Sequence, residues 1–159
     1  CRGAKGDREK MNIQRKEETI CFATSRFGTV SVGHDKVINF VKGIPGFDGL
    51  RRFIIIDHDQ EGVFRWMQSV DNPAVAFLLT DPNLFKPGYA VPLKKNDAEA
   101  LGARNTSDLV TYVMVCASHE KAQMSINLKG PVVFNSENMK AMQCIIDRDD
   151  YQSHFAVCL

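Results

Sequence analysis

In FVKGIPGFDGLRRFIIIDHDQEGVFRWMQSVDNPAVAFLLTDPNL, residues 40–84, apolar runs alternate with short polar or Gly/Pro breaks, and that spacing sets the architecture. The first break is Gly43-Ile44-Pro45-Gly46-Phe47, two glycines and a proline in one bend. Glycine supplies positive φ and proline fixes φ near about −65°, so a rigid bend is expected that holds Ile44 and Phe47 at set angles. Phe53 to Ile56 is a run of β-formers and reads as a buried strand. The polar turn from Asp57 to Gly62 ends it, and Val63, Phe64, Trp66, Met67 and Val70 mark the next strand. Asp71-Asn72-Pro73 breaks the chain again before Val75, Phe77, Leu78 and Leu79, which run up to Asp81-Pro82. Breaks this short cannot hold a crossover connection, so the stretch predicts an antiparallel meander.

Working outward, Thr19 to Ser25 alternates, Gly28 supplies a tight turn, and Val30 and Val32 continue the pattern as a hairpin. Val37 to Val41 carries the sheet into the bend. Beyond Pro82, the turn Pro87-Gly88 precedes Tyr89, Val91 and Leu93, which alternate like a short edge strand. Asn96 to Gly102 predicts a brief helix, with Asn96 as N-cap, acidic Asp97 and Glu99 in its first turn, and Gly102 as its stop. Leu109 to Ala117 is apolar on both faces, as in a central strand. Met124, Ile126 and Leu128 alternate, Gly130-Pro131 interrupts, Val132 to Phe134 resumes, Asn135 to Asn138 turns, and Met142 to Ile146 gives the last strand. The fold class is all-β: an antiparallel barrel-like or sandwich domain with one or two short helices, spanning 19–159. Residues 1–18 are polar and are expected to be a flexible segment. No apolar h-region follows their basic start, so no secretory signal is read and a cytoplasmic location is expected, with Met11 as an alternative start.

At 159 residues the chain can bury one core without metal or disulfides. Its formal net charge of +1 provides no general attraction for phosphate backbones, which argues against direct nucleic-acid binding. Cys1, Cys21, Cys116, Cys144 and Cys158 are odd in number and form no CxxC pair, so free thiols are expected, with Cys116 and Cys144 buried in apolar runs. His34, His58, His119 and His154 lack the HxH or HExxH spacing that presents two imidazoles to one metal. Asp57-His58-Asp59 reads as a solvated turn. The chain has no GxSxG, P-loop or GxGxxG motif. These readings predict neither catalysis, metal nor organic cofactor.

The aromatic residues offer more. Phe47, Phe64, Trp66, Phe77 and Phe85 gather where the turns are, and most belong in the core. Trp66, beside Arg65 and near Gln68, also has the composition of an interface anchor. Loops on a rigid β scaffold concentrate binding residues. Ile44, Pro45, Gly46 and Phe47, with Arg65, Trp66, Met67, Gln68 and Ser69, are therefore the candidate protein-partner interface.

Gly43 to Phe47, Phe64 and Trp66 followed by Met67-Gln68-Ser69, then Pro73, Phe77 and Asp81-Pro82, taken in this order and spacing, resemble the flagellar assembly factor FliW family. Arg26-Phe27-Gly28, Leu101-Gly102 and Asn127 to Pro131 extend the likeness, which runs from about Thr24 to Phe155. Asp48, Val41 and Ala141 depart from the family pattern, where Glu, Pro and Gly are common. The resemblance implies a binding protein that is not an enzyme. Such a protein sequesters the RNA-binding translational repressor CsrA and also binds flagellin, coupling flagellin translation to filament assembly, without touching nucleic acid or membrane. A different class of function, a small-molecule-binding β-barrel with enzymatic activity, would require an open, mostly apolar lumen.

Overall fold

The computed structural model describes residues 18–58, 60–105, 108–118 and 123–157. The expectation for residues 1–18 falls almost wholly outside them.

The predicted meander forms. Strands β3 (Ile38–Phe40), β4 (Arg52–Asp57), β5 (Phe64–Ser69), β6 (Ala76–Thr80) and β7 (Leu109–Ser118) pair in sequence order, each antiparallel to the next. The hairpin of β1 (Thr19–Thr24) and β2 (Gly28–Gly33) is a separate two-stranded sheet. Thr24 fixes its turn, its hydroxyl donating to the Gly28 carbonyl (2.7 Å) and accepting from the Phe27 N–H (2.8 Å).

Past β7 come β8 (Gln123–Ile126), β9 (Val132–Asn135), β10 (Lys140–Gln143) and β11 (Phe155–Val157). Both β8 and β9 run antiparallel to β7, against Val115–Ser118 and Leu109–Tyr112 respectively. Asn127 separates them: its side-chain oxygen accepts from the Lys129 (3.0 Å) and Gly130 (3.1 Å) N–H groups and turns the chain out of the ladder. β10 pairs with β9 antiparallel and with β3 parallel. That last pairing closes a barrel in the order β3-β4-β5-β6-β7-β9-β10 and back to β3. β8 and β11 form a flap beyond it.

Period-two alternation fills the lumen with Phe40, Phe53, Met67, Leu79, Tyr112, Phe134 and their neighbours. A second cluster around Tyr89, Ile126, Leu128 and Tyr151 holds the flap, and a third around Leu101, Val133 and Met142 seats helix α1 (Lys95–Ala100) on the outside of β9 and β10.

Several expectations are corrected. The helix starts at Lys95, its N-cap position falls at Lys94, two residues before Asn96, and no side chain caps it. Tyr89 to Leu93 forms no strand. Tyr151 Oη occupies both the N–H (3.1 Å) and the carbonyl (3.2 Å) of Ala90, the Leu93 N–H turns back to the Val91 carbonyl (2.9 Å), and Pro92 has no N–H to offer. The last predicted strand lies earlier, at Lys140–Gln143. Cys144 and Ile146 still donate to Pro131 and Lys129, but Pro131 cannot donate back, and the ladder ends there. β11 was not foreseen. Cys116 is exposed rather than buried, because β7 runs past the barrel at that point, and Cys21 is disulfide-bonded rather than free.

Candidate functional site

The bend caps one end of the barrel. The Phe47 N–H donates to the Ile44 carbonyl (2.7 Å) and the Leu50 N–H to the Phe47 carbonyl (2.9 Å). Arg51 ties the bend down through the carbonyls of Asp48 (3.3 Å) and Val41 (3.2 Å). Gly46 has φ +86°, and a Cβ on Gly43 would sit 2.7 Å from the Asp48 Cα, so both glycines are required. Ile44 is buried in the core, whereas Pro45 and Gly46 are exposed. Phe47 keeps 38% of its surface and rests edge-on against Phe77, ring centroids 5.2 Å apart.

β5 distributes the other predicted residues by parity. Met67 and Ser69 share a face with Arg65; Met67 is in the lumen, and Met67, Gln68 and Ser69 are fully buried. Gln68 is tucked under the loop 69–75, its Nε2 facing the carbonyls of Ser69 (3.0 Å) and Val75 (3.1 Å). Its Oε1 has no protein partner. Met67, Gln68 and Ser69 thus support the surface without forming it. Trp66 faces outward, half-buried, among residues that sequence reasoning did not assign to it: its Nε1–H donates to His58 Nδ1 (3.0 Å), Phe27 meets it edge-on at 6.2 Å, and the Arg26 guanidinium lies 4.1 Å over its ring. Arg26 and Phe27 were visible as part of a motif, but nothing in their spacing pointed forty residues ahead.

Arg65 sits at the barrel end away from the bend, where β4 ends and β5 begins. There a pocket of about 210 Å³ opens, lined by Val32, Ile38, Ile55, Tyr112, Phe134 and Met139, with Lys36 and Arg65 as its cationic groups. The Arg65 Nε is 3.7 Å from an Asp57 carboxylate oxygen, and its guanidinium lies 6.0 Å from the Tyr112 ring centre. Burial pushes the Tyr112 phenol up, while Arg65 pulls it back. A second pocket, about 230 Å³, lies outside β7 and β9 beside Tyr89 and Leu93. Burial likewise raises the Tyr89 phenol, which donates to the Leu128 carbonyl at 2.6 Å. The bend and β5 therefore form no single patch: Phe47, Trp66 and Arg65 mark the near end, the outer wall and the far end.

Among the described residues no three His, Cys, Asp or Glu side chains converge as metal ligands, and no helix is long and apolar enough to cross a membrane.

Comparison with known proteins agrees with this architecture. The family model described as FliW protein matches residues 21–157, nearly the whole described chain. A flagellar assembly factor FliW from Thermoanaerobacter pseudethanolicus is 39% identical over 129 residues, 80% of this chain and 86% of that protein. One from Bdellovibrio bacteriovorus is 38% identical over 127 residues, 80% of this chain and 73% of that protein. A crystal structure of the flagellar assembly factor FliW superposes with a TM-score of 0.78 at 27% identity, covering 86% of this chain and 96% of the other. Matched by the family model over residues 21–157 and by relatives 39% and 38% identical, the chain belongs to the FliW family of flagellar assembly factors.

Proposed function

We propose that this protein is a partner-switching regulator in flagellar assembly. It binds a CsrA-type translational repressor and, in competition, flagellin, so that export of flagellin frees it to antagonise the repressor and flagellin translation follows filament growth. The observation that carries this reading is the FliW match across the whole barrel, residues 21–157. The near-neutral charge supports control of mRNA through the repressor rather than by contact with RNA. In this reading the protein works in the cytoplasm, without a cofactor and without catalysis. The ligand-barrel alternative has less support: the lumen is filled by side chains, and neither pocket reaches the roughly 300–1,000 Å³ of ordinary small-molecule sites.

Size-exclusion chromatography of the purified protein mixed with a CsrA-type repressor should give a shared peak that flagellin dissociates. Elution of all three proteins separately at micromolar concentration would refute the proposal. Within the candidate interface, Phe47→Ala and Trp66→Ala are the informative variants, since both side chains reach the surface while Ile44, Met67, Gln68 and Ser69 do not. A partner role predicts loss of more than about 1 kcal/mol of affinity in at least one of them.

A further inference from the structure

The pocket at the Arg65 end joins an apolar wall to two cationic side chains. Its wall is apolar, from Ile38, Ile55, Phe134 and Met139, and its volume of about 210 Å³ holds one large side chain and little more. Two cations stand at it. Lys36 is exposed and has no carboxylate partner among the described residues. The one carboxylate contact of Arg65 among the described residues is the loose one at 3.7 Å with Asp57, whose side chain is 72% exposed, and its guanidinium also faces Tyr112. Met139 reaches the wall from a backbone with φ +59°, the one non-glycine residue in the left-handed region among those described. That φ belongs to the turn between β9 and β10, where the Met139 N–H donates to the Asn135 carbonyl (2.8 Å). Methionine is the side chain that best remoulds itself around an incoming group.

We propose that this pocket seats a large apolar side chain standing next to a carboxylate, presented by an acidic segment of a protein partner. The side chain fills the apolar well. The carboxylate displaces Asp57 from Arg65, making a closer charge-assisted pair, and Lys36 adds a second positive charge. Asp57 and Asp81 flank Tyr112 at the same end, so the general field is weak and selection for the anion comes from direct contact with Arg65. This inference rests on the partner-binding reading above and supplies the chemistry of one contact.

The test uses N-acetyl-L-leucine, which has an isobutyl side chain beside a carboxylate, against N-acetyl-L-leucinamide, which lacks the charge, followed by methyl NMR of the full chain. Saturable shifts at Val32, Ile38, Ile55 and Met139, weaker by about fivefold or more for the amide and for Arg65→Gln, are expected. Met139→Gly should keep the fold, because it relieves the φ, yet bind less. No saturable shift, or equal binding by acid and amide, overturns the proposal. Octanoate binding far more tightly than N-acetyl-L-leucine also overturns it, since the site would then belong to acyl carboxylates. Complex formation by size exclusion separates the two readings. A Lys36→Gln/Arg65→Gln variant that still joins the repressor and flagellin as wild type does refutes the pocket's role and leaves partner switching intact. Failure of wild type to join either partner refutes partner switching, while the titration still decides whether the pocket takes the group.

Discussion

Gly43 has no room for a side chain: a Cβ there would lie 2.7 Å from the Asp48 Cα and 2.9 Å from its carbonyl oxygen, backbone atoms that cannot step aside. Gly43→Ala should therefore cost about 1–3 kcal/mol in urea unfolding, as other overpacked sites do. Gly49→Ala, in open space with no positive φ, should be neutral or slightly stabilising, which separates crowding from backbone entropy. Cys144 makes a different kind of demand. Burial, with a smaller contribution from Asp97, pushes its free thiol up from 9.0 to about 11, and Lys42 opposes the rise. The unfolded thiol ionises first, so this contribution is complete below pH 9 and is lost as pH climbs to 11. Over that window the loss is on the order of 2–3 kcal/mol, at about 1.4 kcal/mol per pH unit. Cys144→Ala should flatten the decline in stability between pH 9 and 10, the range below the ordinary tyrosine value, before Tyr89 adds its own loss. An unchanged slope would mean that the thiol is not held neutral by the core.

At the scale of elements, the Gln68 amide and the Ser69 hydroxyl help hold the loop after β5. Gln68 Nε2 faces the carbonyls of Ser69 and Val75 directly, with Asn72 and Pro73 at 3.5 and 3.4 Å, while Ser69 Oγ accepts from the Asp71 and Asn72 N–H groups. Gln68→Leu removes the donor to the buried Ser69 carbonyl, at a cost of about 1–3 kcal/mol, while the Val75, Asn72 and Pro73 carbonyls keep the N–H groups of Ser69, Val75 and Ser25. Gln68→Glu should be worse, because a carboxylate would face the same oxygens. Equal thermal stability of the three proteins would show that water already serves this loop. Here the sequence was partly legible. Alternation and turn chemistry were enough to place β4, β5 and β6, because each depends on local pattern. They did not show which alternating residues are reached by a second layer: Gln68 and Trp66 both face outward, yet Gln68 is sealed under a loop and Trp66 lies half-open beside Arg26. The missing strand at Tyr89 to Leu93 has the same origin. Its alternation is real, but Tyr151, sixty residues on, occupies the backbone of Ala90 that a ladder would have used.

For the whole molecule, closure was the feature least legible in advance. The meander from β3 to β7 could have ended in a sandwich or in a barrel. The choice depends on β10 returning beside β3 in parallel, a pairing across about a hundred residues that no local signal encodes. The closed ring leaves the β1–β2 hairpin outside. Among the described residues its one backbone hydrogen bond to the barrel is from the Ser25 N–H to the Pro73 carbonyl, 2.9 Å, and its tip adds the contacts of Arg26 and Phe27 with Trp66. Strands that share many ladder bonds open together, whereas an element joined by side-chain contacts opens at lower free energy. Cys21 in β1 is also disulfide-bonded, so hydrogen exchange on the reduced protein should find the amides of Ile20, Phe22, Val30 and Val32 at least about tenfold less protected, some 1.4 kcal/mol, than those of Ile54, Met67 and Leu79 in the ring. Trp66 is the only tryptophan and lies at the joint, so its emission should change at lower urea than the far-ultraviolet signal of the barrel. Arg26→Ala should widen that gap, because the cation over the ring is lost while the ring of strands is untouched. Coincident transitions, with equal protection in hairpin and barrel, would instead make the hairpin an integral wall of the fold and Trp66 a core residue rather than a hinge-side anchor open to a partner.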